Sequence, residues 1–136
     1  MSNIRISSQY LKNLSFKSPG APDIFFKPST KPNIELSIDL DAKKLSEESY
    51  EVIIKIKAEA DKSKMFICEA EYAGIFVMQN IEVNMLEQVL LVYCPNLLFP
   101  FIRKIICDAT SAGGFPPLMI DPIDFSALYQ KRKKAN

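Results

Sequence analysis

The apolar residues of this 136-residue chain change their spacing once, near Val83, and that change fixes the class of fold it can adopt. Before it, they recur at every second position. Ile34, Leu36, Ile38 and Leu40 alternate with Asn33, Glu35, Ser37 and Asp39, the period of a strand with one wet face. Tyr50, Val52, Ile54, Ile56 and Ala58 repeat the pattern, and the polar turn Asp61–Lys64 leads into Phe66, Cys68, Ala70 and Tyr72, which predicts a hairpin. Leu14 and Phe16, between Asn13, Ser15 and Lys17, give an earlier strand. Pro19, Pro22, Pro28 and Pro32 then stop regular structure, since proline donates no ladder hydrogen bond, so residues 19–32 are expected to cross outside the sheet carrying Phe25 and Phe26.

From Val83 the rhythm is helical. Met85, Leu86, Val89, Leu90 and Tyr93 predict one helix ended by Cys94-Pro95. Leu97, Leu98, Phe101, Ile102, Ile105 and Ile106, widened by Phe99, predict a second, with Pro100 either in its first turn or kinking it and Gly113-Gly114 closing it. Residues 115–123 read as extended, and Asp124 as the N-cap of a short helix through Phe125, Leu128 and Tyr129. Strands first and helices after predict one α+β domain over residues 1–136, a four-stranded antiparallel sheet with helices packed on one face. The basic end 130–136, QKRKKAN, is expected to be a frayed, solvated tail, with contact to an anionic surface as the sharper alternative.

Composition excludes several classes. Seventeen basic against sixteen acidic residues leave a net charge of +1, which offers no general field for nucleic acid or anionic membrane. The longest apolar run, Val89 to Cys94, is far short of the roughly 20 residues that cross a bilayer. The first ten residues lack a secretory h-region, so a soluble, cytoplasmic protein is expected. Histidine is absent and Cys68, Cys94 and Cys107 form no CxxC pair, so neither a metal site nor a cofactor is expected. An enzyme using Cys94 or Cys68 as nucleophile is the rival from another class; it lacks a histidine base, and Cys94 has only its place before a helix in its favour.

The helical layer is too apolar for one small sheet to cover, which predicts a homo-oligomer with the helices inside; an obligate interface of about 2,000 Å² would drive it. Along the last strand, Cys68, Ala70 and Tyr72 should face the helices while Ile67 and Glu69 face outward. The strings QYLKNLSFKSPGAP (9–22), Ile38-Asp39-Leu40-Asp41, Tyr50-Glu51-Val52, AGIF (73–76), CPNLLFPFIR (94–103) and GGFPPLMIDPIDFSAL (113–128) span nearly the whole chain in order. They closely resemble the SecB protein-export chaperone family.

That resemblance implies a tetramer, a dimer of dimers with its helices between two outer sheets. It also implies a cytosolic holdase that binds unfolded precursor polypeptides, keeps them translocation-competent and delivers them to the motor SecA, without catalysis, nucleotide or metal. By the resemblance, a client groove between the crossing segment and the long helix is lined by Phe25, Phe26, Phe99, Phe101 and Phe115. Ordinary core packing is the alternative for each ring, most of all for Phe101. The SecA contacts fall on Asn13, Lys17, Ile67 and Glu69. Asn13 and Lys17 depart from the acidic residues of better-known members, and Lys55 and Lys57 dilute the field of Glu35, Asp39, Glu51 and Glu71, so weaker or rearranged docking is expected. A SecB-like chaperone dedicated to a toxin–antitoxin system, or a scaffold with no client, would keep the same fold.

Overall fold

The computed structural model describes residues 2–27 and 32–135; Pro28 and Asn136, named above with the crossing segment and the tail, lie outside the described residues. Four strands, β1 (Asn3–Lys17), β2 (Ile34–Lys44), β3 (Ser49–Ala60) and β4 (Phe66–Gln79), form one sheet in the order β1-β4-β3-β2, every neighbour antiparallel. Helical structure follows as α1 (Val83–Gln88), a π-helical turn (Val89–Tyr93), α2 (Cys94–Ala112) and α3 (Phe125–Ala135). The α+β class expected from the two periods is the observed one.

Alternation decides which side of the sheet is dry. Val52, Ile54, Ile56, Ala58 and Ala60 of β3 and Phe66, Cys68, Ala70, Tyr72, Phe76 and Met78 of β4 are all buried on the inner side. Cys94, Leu98, Ile102 and Ile106, each one turn apart on α2, close the core over them. The continuous helical stretch Val83–Ala112 is long and apolar enough, by length and composition alone, to cross a membrane. Here one face of it packs on the sheet, with Leu90, Leu91, Cys94, Leu98, Phe99, Ile102 and Ile106 buried, while Val83, Met85, Tyr93, Leu97 and Phe101 stay exposed.

Two strands are longer than their sequence pattern. β1 begins at Asn3 rather than near Asn13, and its register slips between Ile6 and Ser8 and again between Leu11 and Asn13. Each bulge flips the side-chain parity, so Ile4, Ile6, Leu14 and Phe16 share the inner face without a continuous period of two. β4 runs on past Tyr72 to Gln79, where Ala73 and Gly74 are buried and the alternation is lost in small residues.

The predicted helix break at Cys94-Pro95 is absent. Cys94 keeps α-helical dihedrals (φ −65°, ψ −47°) despite the residue after it, and the backbone passes from the π-helical turn straight into α2. A wider turn just before Pro95 accommodates a ring that donates no hydrogen bond, so the chain stays helical where a regular α-helix would be expected to stop. Pro100 sits inside α2. Gly113 caps α2, Asp124 caps α3 by accepting from the Ala127 N–H at 2.9 Å, and α3 continues through Ala135, taking in most of the basic run.

The crossing segment is fastened at its start. Gly20 N donates to Lys64 O at 3.1 Å and Ser18 Oγ to Met65 O at 2.7 Å, tying it to the β3–β4 turn. A Cβ on Gly20 would lie 2.7 Å from Lys64 O, so only glycine allows this approach. Asp61, Lys62 and Ser63 all have positive φ in that turn, and Asn33 N–H donates to Asp61 Oδ1 at 2.9 Å, which joins the far end of the segment to the same place.

Candidate functional site

Where β1 ends, β4 begins and α2 runs out, four phenylalanines meet. Phe115 lies 5.1 Å from Phe66, 5.5 Å from Phe25 and 6.3 Å from Phe16, ring centre to ring centre, and Phe16 stacks on Phe66 at 5.7 Å. These are the offset and tilted separations that aromatic rings favour. Phe115 is the floor, 8% exposed; Phe25, on the helical turn Asp23–Phe26 of the crossing segment, is 49% exposed, and Phe26 beside it 85%. The result is an aromatic cluster with a buried base and a half-exposed edge.

Gly113 lets the cluster pack closely at its back. A Cβ there would fall 2.3 Å from Phe16 Cζ, so any larger residue would push that ring out of the stack. The sequence marks Phe16 and Phe66 only as strand residues. Their signal was positional, since each sits at the strand end that adjoins the crossing segment or its anchoring turn.

The five rings expected in a client groove do not line one wall. Phe25 and Phe115 are in contact, and Phe26 projects beside them. Phe99 is buried and meets Phe125 of α3 edge-on at 6.1 Å, within the core. Phe101, 47% exposed, stacks on Tyr72 at 5.9 Å with planes 12° apart. Tyr72 and Phe66 are six residues apart on β4, about 20 Å of strand, so Phe101 marks a second apolar place on the same side of the sheet. Cys68, Ala70 and Tyr72 are all buried on the helix side, where the alternation put them.

The outer face of the sheet carries the other candidate residues. Lys17 pairs with Ile67, Ser15 with Glu69 and Asn13 with Glu71 across β1 and β4, so Asn13, Lys17, Ile67 and Glu69 share that face. The lysines of β3 lie among the acids: Lys55 Nζ is 3.4 Å from Glu71, and Lys57 Nζ is 2.9 Å from Glu59 and 4.0 Å from Glu69. Hydrogen bonding to Glu59 holds the Lys57 ammonium above its ordinary value and, reciprocally, holds the Glu59 carboxyl below its own. Further along, Glu51, only 9% exposed, accepts from the Tyr10 hydroxyl and from Lys12 Nζ at 3.1 Å.

Neither buried thiol is placed to attack. Burial pushes Cys94 up to about 12 and Cys68 up to about 11, so both stay protonated near neutrality. Among the described residues no group of three histidine, cysteine or acidic side chains could hold a metal ion.

Comparison with known proteins places this arrangement. The family model described as "Preprotein translocase subunit SecB" matches residues 1–136. Proteins named protein-export protein SecB are 47% identical in Rickettsia rickettsii (97% of this chain, 89% of the relative), 46% in Hyphomonas neptunium (96% and 78%) and 44% in Maricaulis maris (93% and 75%). Among solved structures, a SecB-like chaperone of Mycobacterium tuberculosis in complex with a peptide from an antitoxin superposes with a TM-score of 0.70 over 88% of this chain and 87% of its own, at 16% identity, which speaks for the fold. With a family model matched from end to end and relatives near 45% identity over most of both chains, this protein belongs to the SecB family.

Proposed function

We infer that this protein is a cytosolic export chaperone that captures unfolded precursor polypeptides on its aromatic cleft, keeps them competent for translocation and passes them to SecA. The observation that carries the reading is the graded exposure of Phe115, Phe25 and Phe26 on an anchored segment. Rigid rings bury much area for little lost rotamer freedom and accept varied sequences, as recognition of unfolded chains requires. Phe26 is the ring we expect to meet clients first, while Phe101 on Tyr72 gives a long client a second foothold; several weak footholds on one chain raise avidity by roughly 100-fold.

No chemistry need accompany binding. A protein that binds the unfolded chain and not the native one shifts the equilibrium by RT ln(1 + [L]/Kd), and clients are then selected by how slowly they fold. On the helical layer Val83, Met85, Tyr93, Leu97 and Phe101 stay exposed in the single chain, and a tetramer with helices between two outer sheets would cover part of that surface. SecA would dock on the outer sheet around Asn13, Lys17, Ile67 and Glu69, less tightly where lysines neutralise the acids. A chaperone restricted to an antitoxin client could use the same cleft; the export proteins among the relatives weigh towards the general role.

The test adds the purified protein to a slow-folding precursor and to a fast-folding control. A refolding delay confined to the slow folder is expected; equal, undelayed recovery of both would leave only a scaffold.

A further inference from the structure

The terminal helix builds a depression on the far edge of the sheet from the aromatic cluster. Ile38 and Leu40 of edge strand β2, Leu91 of the π-helical turn, and Leu128 and Tyr129 of α3 form an apolar floor about an open space of ≈ 270 Å³. Lys131 and Arg132 stand on its rim together with Asp39. α3 has no acidic residue, and Lys131, Arg132, Lys133 and Lys134 are all exposed.

The backbone of β2 is already occupied along this edge. Leu40 N–H donates to Asp39 Oδ1 at 3.0 Å, Ala42 N–H to Asp41 Oδ1 at 3.0 Å, and Leu40 C=O accepts from Arg132 Nη1 at 3.3 Å. An added strand would have to displace these caps, so the edge is protected and recognition is left to the apolar floor and the cationic rim. Asp39, the carboxylate on the rim, is weakened as a counter-charge: it is turned onto a backbone donor and stands opposite Lys55 in the sheet register. Lys133 sits over the Tyr129 ring at 5.9 Å, while Lys131 and Lys134 face solvent.

We propose that this depression takes extended polypeptide segments in which an aliphatic side chain is flanked by carboxylates, so that the terminal helix biases the captured clients towards acidic segments. The inference rests on the holdase reading and adds a charge preference to it. Apolar floor and cationic rim belong to one groove, which matches a peptide carrying both features better than a bare anionic surface.

The experiment measures fluorescence anisotropy of one aliphatic peptide flanked by Glu, by Gln or by Lys, titrated with the full chain. The Glu-flanked peptide should bind about fivefold tighter than the Lys-flanked one, the size of one or two exposed ion pairs. The difference should fade at about 0.5 M salt. Lys131→Glu should abolish it and Lys131→Arg keep it, while Arg132, which anchors the helix to Leu40, is left in place. Equal affinities, a preference that survives Lys131→Glu, or binding of the basic helix to phosphatidylserine vesicles without any peptide preference would each overturn the proposal. The precursor refolding assay run on the same protein separates the two readings: a delay without charge preference sinks this inference alone, and no delay sinks the holdase with it.

Discussion

The two faces of this sheet treat their own side chains in opposite ways. On the outer face the lysines of β3 are set against glutamates, Lys55 with Glu71 and Lys57 with Glu59 and Glu69, and Glu51, the buried carboxylate among the described residues, has both a hydroxyl and an ammonium upon it. At the aromatic cluster, by contrast, the interactions are incomplete. Phe115 is surrounded by rings, but Phe25 is covered on one side only and Phe26 hardly at all. A partner arriving at the outer face must break pairs to make pairs, so it gains orientation more than affinity. An apolar segment arriving at the cleft removes area from water without breaking anything, so even a sequence of no particular kind gains.

The strongest attempt to break this contrast is made within the cleft itself. Phe115→Ala removes a nearly buried ring touching three others and should cost about 3 kcal/mol of stability. Phe26→Ser removes a ring that is 85% exposed and should leave stability within about 0.5 kcal/mol while weakening capture several-fold. Urea midpoints and peptide affinities measured on both variants decide it. If Phe26→Ser destabilises as much as Phe115→Ala, or leaves capture unchanged, the ring is packing and the cleft is not open.

Much of this fold was legible because one face of each element is dry. β2 and the β3–β4 hairpin show a clean period of two, and α2 shows its stripe at Leu98, Ile102 and Ile106. The first half of β1 was not legible, since two bulges reset the parity of its inward residues. Pro95 misleads for a different reason: a proline is a local signal, whereas the π-helical turn that absorbs it rests on the burial of Leu90 and Leu91. Of the site, Phe25 and Phe26 were recognisable on a proline-bound segment. The contribution of Phe16 and Phe66 depends on three chain segments meeting, which no local pattern encodes.

A middle-sized effect is expected on the outer face, where Tyr10 and Glu51 define a pH window. Donation from the Tyr10 hydroxyl, helped by Lys12 and opposed by burial, holds the Glu51 carboxyl below its ordinary 4.5. Burial first, and then Glu51, push the Tyr10 phenol from 10.0 up to about 12. A lowered acid stabilises above its unfolded value and loses that contribution as pH falls through the folded one. A raised phenol stabilises below its unfolded value and loses its contribution as pH climbs from 10.0 towards about 12. Glu51→Gln should therefore cost about 1–2 kcal/mol near neutrality, the worth of hydrogen bonds to a charged group, and the deficit should shrink at both acid and alkaline extremes. Urea midpoints across pH check this; a deficit that is flat with pH would mean that the ion is not what stabilises this corner.

The smallest expected effect tests whether the outer face is indeed neutralised by its own lysines. Lys57→Gln leaves Glu59 and Glu69 without the ammonium that lies 2.9 Å from one and 4.0 Å from the other, and Glu69 is among the residues proposed to meet SecA. Because Lys57 and Glu69 are solvent-exposed and half-buried Glu59 keeps its hydrogen bond from Ser63, the sheet itself should hardly notice the change. A basic partner docking on this face, however, would find two carboxylates freed of their shared ammonium. Its affinity should rise by about two- to threefold at low salt and return towards that of the unaltered protein as screening shortens the reach of exposed charges. Calorimetric titration at two salt concentrations reads this directly. A loss of affinity would mean that Lys57 contacts the partner itself, and the contrast between a saturated face and an unsaturated cleft would then have to be redrawn around that lysine.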